Sequence, residues 1–269
     1  MGSIGFVGGG NMAEALIKGV IEAAIYDPED VFVSDISEQR LGYVSQRYGV
    51  CVAQSNAALA GQVDVLVLSV KPQNMAEALE SIKEALKEDV VVVSIAAGVK
   101  VTGIADVLGD IAIVRVMPNT PALVGEGASA LYANEKAQPS LERIKGLFTA
   151  VGRAVVVDNE DLIDAVTAVS GSGPAYYFLL MEEMIKAAQQ LGLSEDVARE
   201  LVLQTAKGAA LLAVEGDKCG ESPGELRRKV TSPGGTTEAA LKVFSEGDFG
   251  PVVAAGIKRA YERSRELSG

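Results

Sequence analysis

Residues 3–13 have the sequence Ser-Ile-Gly-Phe-Val-Gly-Gly-Gly-Asn-Met-Ala, in which an apolar run leads through three glycines into a helix-prone run. This order predicts a strand, a tight turn and the start of a helix, and its spacing matches G-x-G-x-x-A. Gly8 permits the sharp turn, Gly10 lets backbone amides approach a pyrophosphate, and Ala13 lets the helix pack close to the strand. The segment therefore predicts a dinucleotide site at a helix N-terminus, with a glycine turn that binds nothing as the alternative.

Short β-branched runs continue through the first half of the chain, separated by segments with helical spacing. Such alternation indicates βαβ units and a parallel sheet. Several of the runs are almost continuously apolar, which is typical of strands covered by helices on both faces. The predicted strands are Ile4–Val7, Val31–Ser34, Val50–Ala53, Val63–Ser69, Val90–Ile95, Ile111–Met117 and Ala154–Val157.

The second half of the chain is helical in pattern, so we expect an α/β domain at 1–159 and an all-α domain at 160–269. Gly192 fits a helix stop, and Ser194 fits the N-cap of the next helix. Many apolar positions fall on more than one helix face, which favours burial against a partner subunit. The predicted helices span 161–169, 174–191, 194–214, 222–229, 235–245 and 250–266.

Composition excludes several classes of function. The chain has 24 Lys+Arg against 36 Asp+Glu, a formal net charge of −12, which argues against nucleic-acid binding. It has no His, so imidazole catalysis is excluded, and the distant Cys51 and Cys219 form neither a disulfide nor a metal site. We expect both thiols to be buried. No apolar run approaches the ~20 residues of a membrane span, and a strand begins too early for a signal peptide, so we expect a cytoplasmic protein.

The loops that follow the predicted strands carry the other candidate cofactor contacts. Ligands of open α/β sheets bind beyond the carboxyl ends of the strands. Asp35 at the end of the second strand would favour NAD. Ser34, Ser37 and Arg40 would instead favour the phosphate of NADP. A third interpretation is that Asp35 and Ser37 simply cap the next helix. Two of the later loops have structural alternatives to cofactor binding: Lys71 would be an ordinary solvated lysine, and Pro118 would belong to a structural turn. The candidates in these loops are Ser69, Val70, Lys71, Pro72, Ala96, Ala97, Gly98, Pro118 and Asn119.

Two glycine-rich helix starts in the second half are candidate anion sites. Residues 170–174 (Ser-Gly-Ser-Gly-Pro) and 231–237 (Thr-Ser-Pro-Gly-Gly-Thr-Thr) combine hydroxyls with free amides at a positive helix end, which suits a carboxylate. Hydroxyl capping of the two helices is the alternative. The basic residues 227–229 add positive potential or form a solvated helix end.

These motifs together resemble the pyrroline-5-carboxylate reductase family, the last enzymes of proline biosynthesis. The similarity extends over five blocks in the family's order. They are 5–13, 70–73, 116–121, 164–175 and 223–241.

The resemblance implies a Rossmann domain with a doubly wound, mostly parallel sheet, followed by an all-α dimerisation domain, and homodimers that often assemble into decamers (pentamers of dimers). It implies hydride transfer from NADPH or NADH to L-1-pyrroline-5-carboxylate. Asn56 would contact the adenosine ribose or its phosphate, and Thr237 would act beside the ring nitrogen. The resemblance also implies that Ser232, Gly234, Gly235 and Thr236 hold the substrate carboxylate. Together with the residues read from the motifs, the candidate cofactor contacts include Gly8, Gly9, Gly10, Asn11, Met12, Ser34 and Arg40, and the candidate substrate contacts include Ser172 and Gly173.

Two positions depart from what the resemblance implies, and two rival functions remain. Many relatives have His where this chain has Ser222, which puts an essential histidine in doubt here, and Asp35 likewise puts the family's usual preference for NADPH in doubt. A β-hydroxyacid dehydrogenase would need a lysine that the stretch 175–183 lacks, since Lys186 comes late. A non-catalytic dinucleotide sensor would keep the fold without the reaction.

Overall fold

The alternating pattern of the first half folds into one eight-stranded sheet in the computed structural model, which describes residues 2–268. The strand order is β3-β2-β1-β4-β5-β6-β7-β8. Chain order and spatial order diverge between β1 and β4, and in open α/β sheets ligands bind beyond the carboxyl ends of the strands at such a point. The strands are β1 (Ile4–Val7), β2 (Val31–Ser34), β3 (Cys51–Val52), β4 (Val65–Leu68), β5 (Val91–Ser94), β6 (Ala112–Met117), β7 (Gly127–Ala133) and β8 (Gly152–Val156).

The sequence pattern does not predict β7, which is also the strand that breaks the parallel arrangement. It pairs antiparallel with β6, with Val114 opposite Ala133 and Met117 opposite Ala130, whereas all the other strand pairs are parallel. Its sequence, Gly-Ala-Ser-Ala-Leu-Tyr-Ala, is rich in small residues of low β propensity. Pairing between two neighbours stabilises this strand in spite of its sequence.

Helices cover both faces of the sheet. Alternate residues of β4 enter two separate apolar clusters: Val65 and Val67 join one, and Leu66 and Leu68 join the other, as the period of two in a strand requires. The first cluster includes residues of α1, α2 and α6, and the second includes residues of α3, α4 and α5. These helices are α1 (Asn11–Glu22), α2 (Glu38–Tyr48), α3 (Asn56–Ala60), α4 (Met75–Ile82), α5 (Val101–Leu108) and α6 (Leu141–Thr149).

The remaining chain is helical, as predicted. The predicted helix 161–169 is divided into a short α-helix and a π-helical turn, Thr167–Gly171. Gly192 has φ +94°, and the Ser194 hydroxyl accepts a hydrogen bond from the Val197 amide (3.4 Å), so the predicted stop and N-cap are confirmed. The helices are α7 (Leu162–Val166), α8 (Gly173–Gln190), α9 (Glu195–Lys218), α10 (Pro223–Lys229), α11 (Thr236–Glu246) and α12 (Phe249–Leu267).

The chain forms two compact units whose limits differ from the sequence-based border after residue 159. One unit extends through Pro174 and resumes at Arg259, and the other comprises Ala175–Lys258. Polar contacts within the first unit hold the returning segment, which begins at Arg259. Arg115, 1% exposed, lies 3.9 Å from the Asp164 carboxylate, which accepts a hydrogen bond from the Ser264 hydroxyl (2.6 Å). This buried network holds the end of α12 to the sheet.

The helices of the second unit carry many exposed apolar side chains. On α8, Phe178 is 61% exposed and its neighbours Tyr177 and Leu179 are similarly open. This agrees with the apolar positions expected on more than one helix face. The two thiols depart from expectation: Cys219 is exposed just beyond the end of α9, and Cys51 is only partly covered on the edge strand β3. Within residues 2–268, no helix is both long and apolar enough to cross a bilayer.

Candidate functional site

The glycine loop between β1 and α1 has the backbone geometry that its sequence predicts. Gly8 has φ +97°, and a Cβ there would lie 2.9 Å from the Ser69 carbonyl oxygen. The Gly8 amide donates to the Ser34 carbonyl (2.8 Å), and the Ser69 hydroxyl contacts the Gly8 carbonyl oxygen (2.7 Å). Only glycine fits here without strain, because the nearest neighbours are backbone atoms of Ser69, immediately after β4.

The next glycines leave the N-terminus of α1 open. Gly10 caps the helix without a side chain, and a Cβ added to it would meet no atom within 4 Å. The first amides of α1, at Asn11 and Met12, have no carbonyl partner within the helix. An uncapped helix N-terminus beside open space fits a pyrophosphate, so the loop is suited to a dinucleotide.

Asp35 connects the end of β2 to the glycine loop. Its carboxylate accepts hydrogen bonds from the amide of Gly9 (2.7 Å) and from the amide of Ser37 (2.8 Å). The Ser37 hydroxyl in turn caps α2 by accepting from the Arg40 amide (3.2 Å). Ser37 therefore caps α2 while Asp35 contacts the glycine loop, so the capping interpretation and the cofactor interpretation of these residues are compatible. Ile36 between them is 99% exposed.

Arg40 is held by partners inside the protein. Its Nε donates to the Gly9 carbonyl, its Nη2 pairs with Glu14 of α1, and its Cζ lies 5.1 Å from the centre of the Tyr43 ring. Glu14 also accepts hydrogen bonds from Tyr48 (2.8 Å) and Tyr43 (3.1 Å). Partial burial raises the pKa of Glu14, but the bonds from Arg40 and the two tyrosines outweigh it and lower the pKa below its ordinary value. Glu14 is therefore ionised at neutral pH.

Sequence reasoning misses Glu14, Tyr43 and Tyr48. Their only local signal is an acid in the first turn of α1, a position that acids favour in any helix. The three residues meet because α1 and α2 pack side by side, which a single sequence does not reveal.

Ser34 and Asn56 form a second polar chain at this edge of the sheet. The Ser34 hydroxyl donates to the Asn56 side-chain oxygen (2.7 Å), and the Asn56 amide donates to the Ser81 hydroxyl (3.0 Å). Ser34 is buried, whereas Asn56 begins α3 and is partly exposed. The structure thus brings together two of the predicted cofactor contacts.

The loops after the other central strands differ in accessibility. Lys71 is exposed, immediately before Pro72. Gly98 has φ +74° and lies against Leu267 at the end of α12, 3.1 Å from an added Cβ. Asn119 is buried: its amide donates to the Ser170 carbonyl (3.0 Å), and its oxygen accepts from the Ala128 amide (2.8 Å). Asn119 thus uses both ends of its side chain to join the π-helical turn to β7.

The candidate substrate segment in the second unit precedes and begins α11. The Gly234 amide (φ +71°) donates to the Glu238 carboxylate (2.7 Å), and Gly235 caps the helix without a side chain. The Thr236 and Thr237 amides open the helix and lack intrahelical acceptors. This segment already binds one carboxylate, its own.

Ser222, where the family resemblance led us to expect histidine, caps α10. Its hydroxyl and backbone amide form a capping box with Glu225, whose carboxylate accepts from the Ser222 amide (2.7 Å). Hydrogen bonds from the backbone and hydroxyl of Ser222 lower the pKa of the Glu225 carboxyl. Ser222 therefore has a structural role that needs no ionisable group.

Profiles of known protein families match both halves of the chain. A family profile described as pyrroline-5-carboxylate reductase dimerisation matches residues 160–267, and one described as coenzyme F420-dependent NADP oxidoreductase matches residues 3–98. The pyrroline-5-carboxylate reductase of Pseudomonas aeruginosa is 45% identical over 267 residues, which cover 98% of this chain and 96% of that protein. The chain belongs to the pyrroline-5-carboxylate reductase family.

Solved structures agree with this assignment. A pyrroline-5-carboxylate reductase from Coxiella burnetii is 41% identical with a TM-score of 0.92, and covers 100% of this chain and 99% of its own. The Plasmodium falciparum pyrroline carboxylate reductase, solved with NADP bound, is 30% identical with a TM-score of 0.88, at 99% and 98% coverage. The predicted fold class is confirmed, and the chain is an NAD(P)-dependent oxidoreductase with an oligomerising helical region.

Proposed function

We propose that the chain reduces the C=N carbon of L-1-pyrroline-5-carboxylate with NADPH or NADH, giving L-proline in the last step of proline biosynthesis. The observation that carries this proposal is the start of α11, where the Gly234 amide donates to the carboxylate of Glu238 and no side chain caps the helix. The amides of Thr236 and Thr237 at this helix start are available to a second carboxylate. The substrate is itself a carboxylate. Membership of the reductase family supplies the reaction class.

A chain without histidine is suited to this reaction. A cyclic imine is readily protonated near neutral pH, so its carbon accepts a hydride without a strong enzymatic acid. The bound nicotinamide supplies that hydride. The chain's own task is to hold the two reactants in contact, and such positioning is worth ~7–11 kcal/mol of the barrier.

Thr237 is the proposed catalytic residue. It stands in the first turn of α11, beside the amides that would hold the substrate carboxylate. Its hydroxyl can accept a hydrogen bond from the iminium N–H or relay a proton. Proton transfer by a positioned side chain typically raises the rate by about 10²–10⁴-fold. The other proposed substrate contacts are Ser172, Gly173, Ser232, Gly234, Gly235 and Thr236.

The cofactor is assigned to the first half, 1–159, with the substrate and the subunit contact in 160–269. Gly8, Gly9 and Gly10 with the start of α1 would hold the pyrophosphate, and Asn56 with the β2 end would hold the adenosine ribose. The exposed Lys71 suits a phosphate or ribose contact. The remaining proposed contacts are Asn11, Met12, Ser34, Arg40, Ser69, Val70, Pro72, Ala96, Ala97, Gly98, Pro118 and Asn119.

The assembly and location are proposed from the family and from composition. A homodimer through the helical region, with decamers built as pentamers of dimers, would cover the apolar side chains of α8. A cytoplasmic location suits an acidic chain with free thiols. Light scattering on the purified protein distinguishes a dimer from a decamer.

The function is tested by the initial rates of NADPH and NADH oxidation with pyrroline-5-carboxylate. Thr237→Val keeps the shape but removes the hydroxyl, so kcat should fall about 10²-fold or more, while Thr237→Ser should keep most of the rate. Equal kcat for wild type and Thr237→Val would refute the catalytic role. Folded protein that binds cofactor but turns over no imine would be a sensor, and oxidation of 3-hydroxy acids instead would favour the dehydrogenase.

A further inference from the structure

The ribose end of the cofactor site presents a carboxylate and an apolar side chain. Asp35 ends β2 and is fixed by the amides of Gly9 and Ser37, so its position does not depend on a ligand. A carboxylate has about four lone-pair sites, so Asp35 can still accept from a ribose hydroxyl. The neighbouring Ile36 is 99% exposed and offers no hydrogen bond from its side chain to a phosphate.

Arg40 is a cation in contact with the glycine loop, and the Nε and Nη2 atoms of its guanidinium already have partners within the protein. It donates to the Gly9 carbonyl, pairs with Glu14 and lies over the Tyr43 ring. Only 23% of its side chain and 15% of that of Glu14 are exposed. A partly shielded ion pair with charge-assisted bonds resists being opened by a competing anion.

Glu14 is itself anchored apart from Arg40. The hydroxyls of Tyr48 (2.8 Å) and Tyr43 (3.1 Å) both donate to its Oε1, while Oε2 faces Arg40. Glu14 therefore stays in place, charged, with one oxygen committed to the guanidinium. A phosphate that sought Arg40 would meet the carboxylates of Glu14 and Asp35.

We propose that Glu14 withholds Arg40 from the 2′-phosphate of NADPH, and that the ribose end of this site thereby favours NADH. This inference rests on the proposed function only in placing the dinucleotide at the glycine loop between β1 and α1. It makes Glu14 a specificity-determining residue that acts through Arg40, and Asp35 the partner of the free 2′-hydroxyl.

Equilibrium binding without substrate tests the inference, using calorimetric titration with NADH and with NADPH. Wild type should bind NADH more tightly. Glu14→Gln keeps the shape and the tyrosine contacts but removes the charge, so it should improve the NADPH affinity relative to NADH about tenfold, the effect of one charge-assisted bond. That gain should shrink at high salt.

Matched variants separate this effect from general damage. Arg40→Ala should weaken both cofactors alike, and Glu14→Gln combined with Arg40→Ala should return the affinity ratio to that of wild type. Glu22→Gln removes the same charge from the far end of α1, where its side chain is 66% exposed, and should leave the ratio unchanged. The ratio is read on each folded variant, so a change in stability does not imitate it.

The outcomes distinguish a failure of the proposed function from a failure of the inference about Glu14. Wild type that binds neither cofactor would refute the proposed function. Wild type that binds NADPH as tightly as NADH would overturn the inference and leave the function standing. The inference also fails if Glu14→Gln weakens NADPH selectively, or if Arg40→Ala alone does so, because Glu14 would then position Arg40 for the phosphate. Should Glu14→Gln not fold, the Arg40→Ala ratio still decides.

Discussion

Alanine at Gly8 and alanine at Gly10 should damage the protein in different ways. At Gly8 the residue must adopt φ +97°, and its Cβ would lie 2.9 Å and 3.0 Å from the carbonyl oxygen and carbon of Ser69. Those atoms cannot withdraw easily, because the Ser69 amide donates to the Val7 carbonyl (2.9 Å) at the end of the β1–β4 pairing. At Gly10 the conformation is ordinary (φ −65°) and the space is open.

The magnitudes follow from these contacts. The left-handed conformation costs roughly 1–2 kcal/mol and overpacking typically about 1–3, so Gly8→Ala should lose about 2–5 kcal/mol of unfolding free energy. At about 2–4 °C per kcal/mol for a chain of this size, Tm should fall by roughly 4–20 °C. Gly10→Ala loses only the N-cap preference, about 0.5–1 kcal/mol, but its methyl group blocks the approach of a pyrophosphate.

The assay combines thermal unfolding with NADH titration for each variant. Gly10→Ala should keep a Tm near that of wild type and bind NADH at least about tenfold more weakly. Gly146→Ala is the matched control: this glycine lies within α6, a Cβ there meets no atom within 4 Å, and alanine should stabilise by about 0.5–1 kcal/mol. An unchanged Tm for Gly8→Ala would refute the strain argument, and unchanged NADH affinity for Gly10→Ala would refute close backbone approach.

Two further predictions concern acid stability and assembly. Hydrogen bonds from Lys87 and from the Ser3 amide lower the pKa of Asp64 below 3.8; since the folded pKa is the lower one, their stabilisation is present above pH 3.8 and lost as pH falls through the folded pKa. Asp64→Asn should therefore reduce the urea midpoint at pH 7 and should leave it unchanged at a pH below the folded pKa of Asp64. An equal loss at the two pH values would contradict the linkage. On α8, Phe178→Asp should convert the oligomer into monomers in light scattering; an unchanged mass would place the subunit contact elsewhere.

Local pattern identified the elements because their signals are short in range. The predicted β2 matches the observed Val31–Ser34, and the helix predicted at 222–229 is observed at Pro223–Lys229. Apolar runs and caps act within a few residues, so a single sequence contains them. β7 was missed because its small residues have no such signal, and its pairing with β6 and β8 supplies what its propensity lacks.

The candidate site divides in the same way. The glycine loop was predictable, since the positive φ of Gly8 and the open space at Gly10 both follow from the G-x-G-x-x-A spacing. The engagement of Arg40 was not, because its partner Glu14 lies 26 residues earlier on another helix. Nothing in the local sequence distinguishes an arginine that is free for a phosphate from one that is already paired.

Apart from β7, the sequence by itself determined the order of the strands and helices. It also determined the glycine turn, the helical second half and the absence of imidazole chemistry, because each of these is a property of neighbouring residues or of composition. Only the tertiary structure decided which side chains meet: Glu14 with Arg40, Asp35 with the Gly9 amide, and Arg115 with the network that returns α12 to the first unit. Such pairings depend on how helices and strands pack, and a charge has no preferred partner until packing brings one within reach.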